Sequence, residues 1–449
     1  MSERIALIGD NSLEFIKLLF SIWNHRGCAV LIDPQTPVSV AIEMMHDANV
    51  KKCYVERQYY SKLEENFNKK IEMIPYDSTH STAQLLSPIL YKEFRICYSK
   101  DEAVIIYSSG TTGKSKGIIL SHYAINTNAD AIIDYMKLVP DDRMYLLRNL
   151  THSSTITGEL LVAIKAQIPI LIAPVKMPPR YVLNNIAKHS ITIIGLNPSL
   201  LSLYVNEYRK GIYDIPTLKK VYVSGSILND KTYNMAHKTF PNVEIYNVYG
   251  LSEAAPRIAA QRKECSKSNS VGKPILGVKI VVVDDNGSIV PKGVSGVIHV
   301  STPSIFDGYI CGQSKHKSKY QGWLNTGDIG YFDENDELHI VARVDDMIII
   351  DAHKIYPSDV EKCICQHLQI EECMVTSICY DGKDLLCCLY VSKEEMQTSI
   401  INQLKNTLNI YEIPKVFIKT DNIPRTLNGK ISHKSSIEKI YQYLKEIKL

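Results

Sequence analysis

The chain has 449 residues, 45% apolar and 22% charged, which fits a globular protein of two or three domains whose core needs no covalent staples. Its formal charge of +3 is too near neutral to argue for a nucleic-acid partner. Eleven cysteines stand at irregular spacing with no CxxC pair, so reduced, buried thiols in a cytoplasmic protein are expected rather than a zinc site or a disulfide framework.

The opening MSERIALIGDNS has no basic stretch leading into an apolar run, so no signal peptide is expected. Polar residues interrupt the long apolar stretches, Lys17 in LEFIKLLFSIW and Lys165 and Gln167 in LLVAIKAQIPILIAP. No integral membrane segment is expected. Up to about residue 250, short β-branched runs alternate with amphipathic stretches. Residues 103–109, 168–174, 191–196 and 219–226 read as buried strands, and 181–190 and 201–211 as helices. Such alternation implies α/β architecture with parallel-rich sheets.

From about 271 the texture becomes strand-turn-strand. VKIVVVDDNGSIV carries an Asp-Asn-Gly turn, a strong hairpin signal, and GVIHVS, GYFDENDELHIVARV and MIIID continue in that style. The last hundred or so residues read as a small α+β unit. There Ser358 is expected to cap the helix SDVEKCICQHL with Glu361 completing a capping box. Strands CMVTSICY and LLCCLYV and a helix near EEMQTSIINQLKNTL follow. The expected domains are 1–343, with a β-rich subdomain at about 271–343, and a mobile 344–449.

Tyr-Ser-Ser-Gly-Thr-Thr-Gly-Lys-Ser-Lys-Gly, residues 107–117, lies between a predicted strand and a segment that opens a helix. Its glycines let backbone N–H groups turn inward, and its hydroxyls and ammonium groups add donors, which suits a polyphosphate. It is not a Walker A loop, because Ser108 stands where that motif needs its first glycine.

Ser-Gly-Thr-Thr-Gly-x-x-Lys-Gly resembles the phosphate loop of the adenylate-forming superfamily: acyl- and aryl-CoA synthetases, nonribosomal peptide adenylation domains and luciferases. Four further segments match that family's motifs in order: Asn247–Glu253, Thr326-Gly327-Asp328, Arg343–Asp346 and Pro424–Ile431. The resemblance covers nearly the whole chain. It implies ATP-dependent activation of a carboxylic acid as acyl-AMP, with Mg²⁺, followed by transfer to the thiol of coenzyme A. A carrier-protein phosphopantetheine arm is the alternative acceptor, which would make an acyl carrier protein the partner.

By the same resemblance, Ser108, Ser109, Gly110, Thr111, Thr112, Gly113 and Lys116 hold phosphates. Glu253 and Thr111 serve the metal. Gly225, Ser226, Asn247 and Tyr249 line the adenine slot, Gly250 and Ser252 also belong to the nucleotide-binding set, and Asp328 and Arg343 contact ribose or phosphate. Lys430 bridges carboxylate and α-phosphate as a mobile point charge, Asp345 is the hinge, and His152 gates or contacts the acid.

Ser153 stands where α-amino-acid-activating domains carry Asp, which argues against an α-amino-acid substrate. Gly158, Ser224, Gly225, Ala254 and Ala255 admit either an aryl ring or an alkyl chain. Arg257 is read either as a partner for an acidic substrate tail or as a surface residue. The start falls near the family's first internal motif, so a few tens of residues are expected to be absent there. Ala352, Ile349 and Lys354 depart from the family's usual residues in the segment that admits the pantetheine arm, which leaves the acceptor open.

Overall fold

The computed structural model describes residues 2–446 apart from 65–70, 79–82, 109–115, 175–176, 263–269, 311–321, 351–352, 367–368, 381–382, 406 and 426–430. The expected α/β class is the observed one. The chain divides into two compact units, one of Met1–Val281, His299–Thr326 and Phe332–His339, the other of Val282–Ile298, Gly327–Tyr331 and Ile340–Leu449.

The first unit holds two large sheets. One runs in the order Gly308–Tyr309, Lys116–Ser121, Glu102–Ser108, Cys28–Ile32, Arg4–Ile8, Lys52–Glu56, Glu72–Tyr76. From Glu102–Ser108 onward neighbours are parallel, and the first two strands are antiparallel to theirs. Parallel strands covered on both faces need continuous apolar runs, and CAVLI is buried at every position. Helix Leu13–Asn24 starts where Ser12 Oγ accepts from Phe15 N at 3.0 Å. Lys17 sits exposed on its outer face while Phe15, Ile16, Leu19 and Phe20 are buried. The polar interruption therefore marks an amphipathic helix.

The other sheet runs Lys273–Pro274, Arg257–Ala260, Glu244–Gly250, Lys220–Val223, Ile193–Leu196, Met144–Leu146, Ile170–Ile172, Gln84–Leu86. Its strands from Glu244–Gly250 to Ile170–Ile172 are parallel. Helices Pro179–Lys188 and Pro198–Tyr208 pack on it through Val182, Leu183, Ile186, Leu201 and Val205. Open parallel sheets bind ligands beyond the carboxyl ends of their strands, which is where the motif segments leave these sheets.

Strands Lys279–Val283, Gly296–Ser301, Leu324–Phe332 and Leu338–Arg343 occupy the stretch expected to be β-rich. The Asp-Asn-Gly turn is present, with Gly287 N donating to Asp284 O at 3.1 Å, but its second limb forms only a bridge at Ile289.

The second unit holds a three-stranded sheet of Glu372–Tyr380, Lys383–Val391 and Val416–Thr420. Side chains alternate between its faces. Val375, Cys388, Tyr390 and Phe417 join a core with Val360, Ile364, Ile400 and Leu404 of helices Pro357–Cys365 and Gln397–Leu404. Met374, Cys387, Leu389 and Ile418 face Ile440 and Leu444 of helix His433–Glu446 instead.

Two expectations need correction. Ser358 does not cap its helix: Pro357 begins it, Ser358 Oγ donates to Val341 O at 2.6 Å, and Glu361 accepts from Val375 N at 2.8 Å. Pro at the first helical position needs no donor satisfied, which releases both side chains for tertiary bonds. Nor are all thiols buried, since Cys97 and Cys379 are exposed.

Candidate active site

The strands Glu102–Ser108 and Lys116–Ser121, which flank the glycine-rich motif, pair antiparallel, with Tyr107 opposite Gly117 and Ser108 opposite Lys116. Ser109, Gly110, Thr111, Thr112, Gly113 and the side chain of Ser108 lie outside the described residues. Lys116 Nζ stands 5.8 Å from the centre of the Tyr309 ring. Tyr309 comes from the short strand paired with Ile118 and Ile119.

The same tyrosine connects this loop to the second motif. Its hydroxyl donates to Glu253 Oε1 at 2.7 Å, and Phe306 N donates to Glu253 O at 2.9 Å. Glu253 lies in a short 3₁₀ turn, Ser252–Ala254, just beyond strand Glu244–Gly250. A carboxylate oriented at a parallel strand's exit, with an ammonium group near the tyrosine that holds it, fits a magnesium polyphosphate. Gly250 is required by space, because a Cβ there would stand 1.9 Å from Pro256 O. Tyr309 was not anticipated from the sequence, and nothing local in Gly308-Tyr309 signals a partner 56 residues away.

Asn247 is buried, and its Nδ2 donates to Ser270 O at 2.9 Å. That bond turns Oδ1 into the acceptor an adenine amino group needs. Tyr249 is nearly buried on the same strand. Gly225, with φ +101 and nothing within 4 Å of a notional Cβ, and exposed Ser226 follow strand Lys220–Val223. An open glycine beside a strand end lets a flat base approach the backbone.

His152 precedes helix Ser153–Thr155, which continues as a π-helical stretch over Ile156–Leu161. Such stretches concentrate at functional sites. Ser153 and Ser252 share a hydrogen bond of 3.0 Å, so the segment after His152 touches the Glu253 turn. Behind it lies a buried polar cluster. Arg148 Nη2 donates to Glu159 Oε1 at 2.6 Å and to the Tyr222 hydroxyl at 2.9 Å, while its Nη1 donates to Ser224 Oγ at 3.0 Å. Tyr222 in turn donates to Glu159. Burial pushes the Glu159 carboxyl up, against the pull of Arg148 and the Tyr222 hydrogen bond. Gly195 makes room for the cluster, because a Cβ there would stand 2.2 Å from the Tyr222 hydroxyl. Arg257 is no surface residue: it is 2% exposed, with its guanidinium 5.0 Å from the Tyr222 ring centre. Arg148, Glu159, Tyr222, Ser224 and Arg257 come from separate stretches of the chain, and of these only Ser224 and Arg257 were singled out by sequence.

The second unit carries the remaining motif residues. Asp328 is largely buried, and its Oδ1 lies 3.5 Å from Arg343 Nη1. Gly327 has φ +72, and its O accepts from Val344 N at 2.8 Å, so a left-handed turn brings the two motifs together. Asp345 is exposed in the turn that follows. Lys430 lies outside the described residues, but the ends of its loop are joined: Arg425 bridges Ile431, and Ser432 N donates to Pro424 O at 2.8 Å. Ala352 and the side chains of Ile349 and Lys354 also lie outside the described residues.

The family model for AMP-binding enzymes matches residues 1–310. Oxalate–CoA ligase of Saccharomyces cerevisiae is 26% identical over 403 residues, covering 88% of this chain and 72% of the yeast protein. Surfactin synthase subunit 2 of Bacillus subtilis is 24% identical over 444 residues, 95% of this chain but 12% of that subunit. The ATP-bound crystal structure of MatB from Rhodopseudomonas palustris superposes with a TM-score of 0.85 at 21% identity, covering 98% of this chain and 89% of MatB, and so shares the fold. The chain belongs to the AMP-binding enzyme family, within the adenylate-forming superfamily.

Proposed function

We propose that the chain is an AMP-forming acid–thiol ligase that activates a carboxylic acid with ATP and passes the acyl group to coenzyme A. In the first half-reaction a carboxylate oxygen attacks the α-phosphorus, forming acyl-AMP and expelling pyrophosphate. In the second the thiol sulfur attacks the acyl carbon, AMP leaves, and the thiol proton passes to solvent. The observation that supports this reading is the chain of contacts Lys116–Tyr309–Glu253, which ties the candidate phosphate loop to the candidate metal ligand within a member of this family.

Both half-reactions gather negative charge, so the protein's work is to offset it. Glu253 and Thr111 would hold Mg²⁺, which screens the phosphates when bound. Lys116 and the loop N–H groups add positive potential. Asn247 and Tyr249 would seat adenine, and Asp328 with Arg343 the ribose. Lys430 supplies a point charge between carboxylate and α-phosphate. The mobile segment beyond Asp345 then exchanges one set of groups for another.

The likeness to surfactin synthase supports a second reading, in which the acceptor is the phosphopantetheine of a carrier protein. Among the described residues no helix is long and apolar enough to cross a membrane. The test is pyrophosphate release across aryl, short-chain and long-chain acids, followed by thioester formation with coenzyme A and with a holo-carrier. Acid-dependent release with coenzyme A turnover supports the first reading, turnover with the carrier alone supports the second, and no release with any acid defeats both.

A further inference from the structure

Arg257 stands out among the charged groups of the first unit. It is 2% exposed, and its Nε and Nη2 are buried without a hydrogen bond. No carboxylate among the described residues lies within ion-pair range of it. The Tyr222 ring lies 5.0 Å away, and the neutral Tyr135 hydroxyl lies beside it and supplies no charge. Glu159, the nearby carboxylate, gives Oε1 to Arg148 and Tyr222. The cluster thus holds two guanidinium groups and one carboxylate, leaving a buried positive charge uncompensated. A cation over an aromatic face recovers part of the lost hydration, but an unpaired buried charge remains expensive and calls for an anion.

Its position indicates which anion. The Arg257 N–H and C=O bond the Asn128 side chain at 3.0 and 2.9 Å, which fixes the backbone. Nη2 faces Gly158, where an added Cβ would already stand 3.4 Å from it, so a larger side chain there would press on the guanidinium. Gly158 belongs to the helix that begins after His152, and that helix touches the Glu253 turn through Ser153 and Ser252. Tyr222 and Arg148 lead to Ser224, beside open Gly225. Arg257 therefore lies between the two segments assigned to the acid.

Resting on the acid-activating reading above, we infer that Arg257 is an anion subsite for a second negative group on the substrate, so that the preferred acid carries a carboxylate besides the one adenylated. The planar guanidinium matches a carboxylate with two N–H donors. Its burial makes the preference strict, because an acid without the second anion leaves the charge unpaired.

The test is kcat/KM for pyrophosphate release with matched acids: butanoate against succinate, hexanoate against adipate, benzoate against phthalate. The wild-type chain is expected to prefer the dicarboxylate in its best pair by about 30-fold or more. Arg257→Gln is expected to shrink that preference to about threefold, mainly through the dicarboxylate KM, and Arg257→Lys to retain part of it. A merely structural arginine would lower both acids of a pair together. Monoacids used as well as their dicarboxylate partners, or a preference unchanged in both variants, overturn the subsite while leaving acid activation standing. Release with no acid at all removes the activating reading and the subsite with it. The wild-type comparison needs no variant to fold.

Discussion

The Tyr309 hydroxyl donates to Glu253 Oε1 at 2.7 Å, joining the strand beside the phosphate loop to the turn that carries the proposed metal ligand. A hydrogen bond to a charged acceptor contributes roughly 1.5–3 kcal/mol, enough to hold the carboxylate in one orientation. Tyr309→Phe is therefore expected to lower kcat for pyrophosphate release by about tenfold and to raise the Mg²⁺ concentration needed for half-maximal rate. A magnesium titration of release checks this. Unchanged metal dependence would show that Tyr309 does not position Glu253.

The Arg148–Glu159 pair is a structural commitment of the first unit. With Glu159 fully buried and Arg148 14% exposed at the side chain, removing one member leaves the other charge without its counterion. Arg148→Met is expected to destabilise the protein by about 3–5 kcal/mol. Glu159→Gln keeps an acceptor for Tyr222 and should cost less. Urea midpoints of the two variants measured side by side test the order.

In the second unit, burial pushes the Glu361 carboxyl from its ordinary 4.5 up to about 7, against the pull of the Val375 N–H bond, with Asp346 and Glu372 adding to the rise. A folded-state pKa above the unfolded one means a stabilising contribution that is full below the unfolded pKa and lost as pH rises through the folded one. Between about pH 4.5 and pH 7 that loss amounts to about 3 kcal/mol at most. Glu361→Gln retains an acceptor and should flatten this fall. Denaturation at about pH 5 and about pH 8 is expected to show the variant gaining on the wild type at the higher pH only.

The Val344–Met347 turn is held by N–H groups of Asp346 and Met347 donating to Arg343 O at 3.2 Å and Val344 O at 3.3 Å. Neither bond uses the Asp345 N–H, so Asp345→Pro removes none of them while stiffening the backbone. If this position is the hinge, acyl-AMP formation should hold within about twofold while thioester formation drops by about tenfold or more. Equal effects on both half-reactions, or on neither, would contradict it.

What was legible in the sequence was local. IPILIAP, ITIIGL and KKVYVSGS read as strands because short β-branched runs bounded by polar residues favour a buried pleated segment, and the structure has strands at Ile170–Ile172, Ile193–Leu196 and Lys220–Val223. Asn247, Glu253, Asp328 and Arg343 could be singled out as candidates because each stands in a short fixed pattern. Illegible were contacts made only by folding. Ser358 and Glu361 form a correct capping-box pattern, yet Val341 O and the Val375 N–H claimed their side chains. Tyr309 and the Arg148–Glu159–Tyr222 cluster belong to no pattern. Arg257 follows a motif on a strand whose spacing does not say which neighbours will cover it. Strand Val416–Thr420 and helix His433–Glu446 were also unread, since each becomes amphipathic only against a sheet assembled from distant residues.

The measurement that bears most directly on the central claim is acid-dependent exchange of labelled pyrophosphate into ATP, in wild type and Lys430→Ala. Exchange requires acyl-AMP to form and to revert, and it needs no thiol. Exchange is expected only with acid and Mg²⁺ present, falling by about 100-fold or more in the variant while ATP still binds. Exchange at the wild-type rate in Lys430→Ala, or none in the wild type with any acid, would contradict it.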